Sequence, residues 1–250
     1  MPGMPSLARL RPSDPSWAFL RMAANREIGR NAILTVEGRE YLPPGGPVVI
    51  AARHYHHLLD GCALFATIDR PAHIVVGLDW AEGGLGRVMA GLCTLARWPV
   101  VQRRPLDGPS ASPAGEAGRF RSARAALGLS TALLGEGRVL IVFPEGYPNI
   151  DPHRTPKTGD AFLPFQPGLL RIVRTAEAAG ISHGRVPVVP VGFCYERVDP
   201  APNNGPAWRI AMTFGPPRYR DQFASDAEAL AAIEADVRRL SGGLAGTTRA

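Results

Sequence analysis

Short runs of β-branched and other apolar residues alternate with helical patterns along most of this chain. The strand-like runs lie at 33–36, 47–52, 73–78, 98–101, 138–143, 186–193 and 208–214. The helical patterns between them lie near 61–69, 84–96, 113–135 and 167–180. Such alternation predicts an α/β fold with a mostly parallel central sheet flanked by helices. Ligands of parallel sheets bind beyond the carboxyl ends of the strands, so functional residues are expected just after several of these runs.

One further helical pattern precedes the first strand, and another comes near the end of the chain. The stretch from Pro15 to Arg30 predicts an amphipathic helix with an apolar stripe at Trp17, Leu20, Ala24 and Ile28. The last helix, about 225–240, opens with the capping-box pattern Ser225-x-x-Glu228. We therefore expect two parts: an N-terminal segment, 1–31, whose helix either lies on a membrane surface or packs on the domain, and a single α/β domain, 32–250.

Composition narrows the classes of function. With 250 residues, 45% of them hydrophobic and 20% charged, the chain resembles one globular domain rather than a disordered chain. It has no 18-residue apolar run to span a membrane and no apolar secretory core at its N-terminus. Three widely spaced cysteines, Cys62, Cys93 and Cys194, are typical of a reducing compartment. The net charge of +6 favours an anionic partner, and 7% aromatic residues without basic–aromatic interleaving disfavour nucleic acid.

A histidine cluster follows the second strand-like run. His54, His56 and His57 come shortly before Asp60. A neutral imidazole can take a proton from a hydroxyl near pH 7, and a neighbouring carboxylate fixes its tautomer. On a helix, His56 and His57 would share the face of Asp60, whereas His54 reaches it only if the turn folds back. The same residues also fit a zinc site, or a histidine-rich turn that Asp60 caps. The sequence leaves these alternatives open.

Two more candidate positions follow later strand-like runs. Arg103 comes just after 98–101 and offers a forked guanidinium to a phosphate. Glu145 and Gly146 come after the run 138–143, within Phe-Pro-Glu-Gly. A glutamate at a buried strand end needs a partner, so Glu145 is expected to meet an arginine or a substrate hydroxyl. Gly146 permits a positive φ or a close backbone approach.

These motifs, in this order, resemble those of the lysophosphatidic acid acyltransferase (glycerophospholipid acyltransferase) superfamily. The resemblance runs from about Val36 to Pro217. It rests on four stretches that are similar to the family's Asn-His-x4-Asp motif, its arginine motif, its Phe-Pro-Glu-Gly-Thr-Arg motif and its proline-containing strand: 46–60, 99–103, 143–146 and 186–192. The resemblance implies a glycerolipid acyltransferase-like fold.

Two departures from the family pattern concern the site. The family places its histidine five residues before the aspartate, whereas His54 lies six residues before Asp60 and His56 lies four before it. The position after the strand favours His54, whereas helical reach favours His56 or His57; we take His54 as the base and His56 as its alternative.

The second departure is in the Phe-Pro-Glu-Gly motif. Tyr147 and Pro148 replace the family's threonine and arginine. A phosphate-binding arginine is therefore missing at that position. Either Arg104 or Arg154 takes its place, or the acceptor has a different head group.

The resemblance implies an acyltransferase that moves a fatty acyl group from an acyl thioester, acyl-CoA or acyl carrier protein, to a hydroxyl of a lysophospholipid such as 1-acylglycerol 3-phosphate. The implied site residues are His54 with Asp60 as general base, His56 as the alternative base, and Arg103, Glu145 and Gly146 for the acceptor. No metal or redox cofactor is implied. Expected partners are the acceptor, the donor and an anionic membrane surface, with the protein peripheral at the cytoplasmic face. The alternatives are a metal-dependent hydrolase built on the histidine cluster and a non-catalytic lipid-binding protein on the same scaffold.

Overall fold

The computed structural model describes residues 15–78, 83–102, 113–150, 162–198 and 207–242. Its strands are β1 (Ala32–Glu37), β2 (Val48–Ala52), β3 (Ala72–Ile74), β4 (Val76–Gly77), β5 (Val100–Val101), β6 (Val139–Val142), β7 (Val188–Arg197) and β8 (Trp208–Phe214). Within the described residues, six strands form one sheet in the order β1-β8-β7-β2-β6-β3. β7 and β8 pair antiparallel, and the other neighbours in this sheet pair parallel. The carboxyl ends of β7, β2, β6 and β3 therefore lie along one edge of the sheet.

Helices cover both faces of this sheet. The described helices are α1 (Pro15–Asn31), α2 (Leu59–Thr67), α3 (Gly83–Leu95), α4 (Pro113–Gly135), α5 (Gly168–Ala178) and α6 (Asp226–Ser241). α1 and α2 pack on one face of the sheet, and α4, α5 and α6 pack on the other. Along β2, Val48 and Ile50 pack with α1 and α2, while Val49 and Ala51 pack with α4, α5 and α6. Because successive side chains of a strand point to opposite faces, a strand that is apolar throughout needs cover on both sides. The predicted α/β architecture is observed.

The predicted strand 73–78 is divided between two sheets. Val75 donates its N–H to Ile141 of β6, and the next residue, Val76, donates to Pro99 instead. β4 and β5 then form a separate two-stranded sheet. The predicted strand 98–101 is thereby reduced to Val100–Val101 and lies outside the main sheet. Hydrophobic pattern predicts that a strand forms, but it does not specify the partner.

β7 contains a proline and a glycine in the interior of the sheet, although proline there predicts an edge or a strand end. Pro190 is tolerated because antiparallel pairing with β8 begins only at the next residue, Val191. The Pro190 carbonyl still accepts the N–H of Gly215 at 2.8 Å. At Gly192 a side chain would overlap the backbone of α6 at Leu240, so glycine allows this helix to lie close against β7.

The two terminal helices form as the sequence predicts. Ser225 caps α6 by accepting the Glu228 N–H at 3.1 Å, and the Glu228 carboxylate accepts the Ala224 N–H at 3.0 Å. The apolar stripe of α1 packs against the domain, with the rings of Trp17 and Phe65 meeting edge to face at 5.3 Å. None of the described helices is both long enough and apolar enough to cross a membrane.

Candidate active site

The chain turns back on itself between β2 and α2. Asp60, in the first turn of α2, is 0% exposed. Its Oδ2 accepts the backbone N–H groups of Tyr55 and His56, at 2.6 and 2.9 Å. Acidic residues in the first turn of a helix commonly bind amides that precede the helix, and here two such bonds bend the segment over the carboxylate. The turn therefore folds back, which brings His54 within reach of Asp60.

His54 is the histidine whose ring meets that carboxylate. Its Nδ1 lies 3.1 Å from Asp60 Oδ2, and its side chain is 15% exposed. An ionised carboxylate only accepts hydrogen bonds, so Nδ1 is the donor and the lone pair of the neutral ring is on Nε2. Among the described residues, none hydrogen-bonds Nε2. Phe143 stacks on the ring with the centroids 4.3 Å apart. The ring is held on two sides, by Asp60 and by Phe143, while its Nε2 has no hydrogen-bond partner among the described residues.

His56 and His57 have other surroundings. The Nδ1 of His56 lies 3.3 Å from the N–H groups of Leu58 and Leu59, at the start of α2. Burial, followed by the neighbouring His57, lowers the pKa of His56, which suits an acceptor of amide hydrogens. The exposed His57 has its Nδ1 3.3 Å from the Ile150 carbonyl oxygen. Within the described part of the chain, no group of three or more His, Cys, Asp or Glu side chains is arranged to hold a metal ion.

Glu145 links the loop after β6 to two neighbouring segments. Its Oε1 accepts the His54 N–H at 2.8 Å, and its Oε2 accepts the Leu163 N–H at 3.0 Å. The side chain is 2% exposed, and this burial raises the pKa of its carboxyl group. Among the described residues its hydrogen-bond partners are thus two backbone amides, whereas the sequence suggested a guanidinium or a substrate hydroxyl. Glu145 fixes the backbone of His54.

The segment around Leu163, which Glu145 binds, is also hydrogen-bonded to the last helix. Glu234 of α6 accepts the N–H of Phe165 at 2.9 Å, two residues after Leu163. Gly146 has the positive φ that its sequence position suggested, +81°. Its N–H donates to the Phe143 carbonyl at 3.0 Å and closes the turn. The turn after β6 is therefore fixed by its own backbone as well as by Glu145.

Comparisons with known proteins identify the family of this chain. Residues 33–194 match the family model described as Acyltransferase. The chain belongs to the acyltransferase family. It is similar to the solved structure of the 1-acyl-sn-glycerophosphate (LPA) acyltransferase PlsC from Thermotoga maritima, with a TM-score of 0.62 and 19% sequence identity. That alignment covers 94% of this chain and 81% of the other. A search of curated proteins found no match.

The predicted superfamily and fold class of this acyltransferase are confirmed. Its mostly parallel sheet with flanking helices belongs to a fold similar to that of the Thermotoga structure. The region that matches the family model contains His54, Asp60 and Glu145. It ends at Cys194, within β7, so β8 and α6 lie beyond it.

Tyr195 of β7 belongs to the candidate site of the acyltransferase, although no sequence motif pointed to it. Its hydroxyl donates a hydrogen bond to Asp60 Oδ1. Its ring stacks on that of Tyr55 with the centroids 4.5 Å apart. Because 135 residues separate Tyr195 from Asp60, only the fold brings them together.

Arg53 is a second residue that sequence reasoning missed. It is 8% exposed, and its Nη1 donates to the Phe193 carbonyl at 2.9 Å. Burial lowers the pKa of its guanidinium, while the nearby carboxylates of Glu145 and Asp60 raise it. The sequence feature that could have indicated Arg53 is its position, since it is a charged residue directly after the wholly apolar run of β2. Arg53 offsets the charge of the two buried carboxylates.

The predicted phosphate-binding arginine of the acyltransferase, Arg103, lies outside the described residues. So do Arg104 and Arg154, the two candidate replacements for the missing motif arginine. The described part of the candidate site is therefore the His54 imidazole, the Asp60 carboxylate and the loops that hold them.

Proposed function

We propose that this acyltransferase moves a fatty acyl group from acyl-CoA or acyl carrier protein to a hydroxyl of a lysophospholipid such as 1-acylglycerol 3-phosphate. The observation that carries the proposal is the contact of 3.1 Å between His54 Nδ1 and Asp60 Oδ2, on a ring that remains 15% exposed. Membership of the acyltransferase family supports the reaction class. The likeness of the fold to a 1-acyl-sn-glycerophosphate acyltransferase supports a glycerolipid acceptor.

His54 acts as general base in this mechanism. Its Nε2 takes the proton of the acceptor hydroxyl as the hydroxyl oxygen attacks the thioester carbonyl carbon. The resulting tetrahedral intermediate collapses, the C–S bond breaks, and the imidazolium returns its proton to the departing thiolate. Asp60 holds the ring in the tautomer that leaves Nε2 unprotonated and stabilises the imidazolium. A positioned base of this kind contributes about 10²- to 10⁴-fold to the rate.

The acceptor lies beyond the carboxyl ends of β2 and β6. Gly146 and Glu145 border this edge after β6, and Arg103 supplies positive charge for the phosphate. Because both oxygens of Glu145 accept backbone amides, Glu145 contributes by fixing the His54 backbone. No metal or redox cofactor enters this mechanism, and the acyl thioester is a co-substrate.

The outer face of α1 is the contact of the protein with the cytoplasmic face of an anionic membrane. Phe19 and Met22 are 64% and 63% exposed there. Arg26 and Arg30 are exposed at helical spacing from them, and neither pairs with a carboxylate among the described residues. Exposed apolar side chains beside these arginines suit binding to a surface of anionic lipid. Each basic residue near such a surface contributes about 1 kcal/mol to the free energy of membrane binding.

Acceptor-dependent release of thiol from an acyl-CoA tests the enzymatic part of the proposal. His54→Ala should lower the rate at least about 10²-fold in a protein that still folds and unfolds cooperatively on heating. His57→Ala removes an exposed imidazole three residues away and is the matched control. Full activity of His54→Ala would remove it from the mechanism, and loss of activity only in His56→Ala would move the base to His56. Mass spectrometry of products from a mixture of lysolipids would identify the acceptor.

Vesicle sedimentation tests the membrane contact. A protein with Phe19→Ser and Met22→Ser should sediment less with anionic vesicles than the unchanged protein. Equal sedimentation of both would exclude this face of α1. Substitution is preferable to truncation because α1 also packs against α2.

A further inference from the structure

The ring of Tyr195 is fixed on several sides. Besides the stack on Tyr55, its centroid lies 5.7 Å from that of Trp208, edge to face, and 6.2 Å from that of Phe193. Burial raises the pKa of the Tyr195 hydroxyl well above its usual range, so the hydroxyl stays protonated. The ring packing therefore presents a permanent donor to Asp60.

The donors around Asp60 are divided unequally between its two oxygens. Oδ2 accepts three, from His54 Nδ1 and the N–H groups of Tyr55 and His56. Oδ1 accepts the hydroxyl of Tyr195, its one hydrogen-bond donor among the described residues. This bond sets the rotation of the carboxylate about its Cβ–Cγ bond. It also draws negative charge toward the oxygen that faces away from His54.

We propose that Tyr195 is a positioning residue that sets the basicity of His54 through Asp60. The inference rests on the proposed function of His54 as general base. A carboxylate with no donor on Oδ1 would concentrate its charge on Oδ2 and hold the imidazolium more strongly. His54 would then be protonated over more of the neutral range and would serve less well as a base. Tyr195 limits that effect while it keeps Oδ2 aimed at Nδ1.

Other charged or titratable groups lie near His54 and Asp60, and a test must leave these groups unchanged. From the described residues these are Arg53, Glu145, His56 and Cys62. Substitution of Tyr195 by phenylalanine changes none of them. It also keeps the aromatic ring and therefore the stack with Tyr55. Only the hydroxyl is removed.

The experiment is a pH titration of the His54 imidazole by NMR in protein labelled with ¹⁵N-histidine, with the resonance assigned from its absence in His54→Gln. Tyr195→Phe should raise the titration midpoint of His54 by about half a unit to one unit. The acidic limb of kcat/KM should move upward by the same amount. Tyr41→Phe deletes a hydroxyl outside the site and is the matched control. Incorporation of 3-fluorotyrosine, a stronger donor, should shift the midpoint in the opposite direction.

An unchanged His54 midpoint in folded Tyr195→Phe would overturn the inference, as would an equal shift in Tyr41→Phe. Should Tyr195→Phe not fold, an unchanged or raised midpoint with 3-fluorotyrosine would overturn it instead. The NMR titration needs no turnover, so it separates this inference from the proposed function. A protein that transfers no acyl group but shows the shift would support the coupling and defeat the proposed function.

Discussion

Asp60→Asn separates the charge of Asp60 from its hydrogen bonds. The single oxygen of asparagine can keep the three donors now on Oδ2, from His54, Tyr55 and His56. Its NH₂ group would replace Oδ1 and donate to the hydroxyl oxygen of Tyr195, because a hydroxyl accepts as well as donates. The fold should therefore survive, and the main loss is the negative charge beside the imidazolium.

The size of that loss follows from the distance. Unit charges 3.1 Å apart attract by about 5 kcal/mol at an effective dielectric constant of 20. A proton about half transferred in the transition state would feel about half of this attraction, so the rate should fall about 10²-fold.

The assay is initial-rate thiol release from acyl-CoA with saturating lysophosphatidic acid, together with thermal unfolding of each protein. Asp69→Asn is the matched control, because it removes the same charge from an exposed surface pair with Arg21. Asp60→Asn with at least a third of the unchanged activity would refute the electrostatic role of Asp60. A large fall in unfolding temperature would refute the expected rearrangement of donors.

Three further predictions concern stability, each measured by urea unfolding. Glu145→Gln should lower the free energy of unfolding by about 1–3 kcal/mol, because the NH₂ group of the glutamine would face a backbone N–H and leave that buried donor unsatisfied. An unchanged urea midpoint would contradict the two observed hydrogen bonds. Gly192→Ala should cost about 3 kcal/mol by overpacking against α6, whereas the control Gly128→Ala, in open space on α4, should stabilise by about 0.5–1 kcal/mol. Hydrogen bonds from Arg97 lower the pKa of Glu136, which means that the ion pair of these two residues stabilises the folded protein. That stabilisation is fully present above the ordinary glutamate pKa, and it disappears as the pH falls through the lowered pKa of Glu136. Glu136→Gln should therefore be less stable than the unchanged protein at pH 7 by about 0.5–1 kcal/mol, and a gap that persists in strong acid would argue against the pair.

Much of the fold could be predicted because the central strands are apolar along their whole length. β2 and β6 fall within the predicted runs 47–52 and 138–143, and both are buried on each face. The division of 73–78 between two sheets could not be predicted. Val75 and Val76 have equal strand preference, and only the neighbouring chain decides which partner each takes.

The sequence predicts which residue types form the candidate site, but not which of them lie in contact. The sequence identified an imidazole, a carboxylate and the Phe-Pro-Glu-Gly loop as parts of the candidate site, but it left open whether His54 or His56 contacts Asp60. The answer depends on two backbone amides that bind the carboxylate and bend the turn, and amides carry no sequence signature. Tyr195 could not be found at all, since its place beside Asp60 follows from strand order. The catalytic roles of these residues remain predictions until the variants are assayed.

The strand order also limits how the enzyme can be shortened for study. A fragment trimmed to the family-matched span, 33–194, would lose β8, which lies between β1 and β7 in the sheet. In the described structure β1 has no other strand neighbour, so it would be left without backbone pairing. The shortened β7 would become an edge strand with unpaired backbone N–H and C=O groups, and such edges pair with other chains and cause aggregation. The recognisable stretch of this protein is therefore smaller than its folding unit.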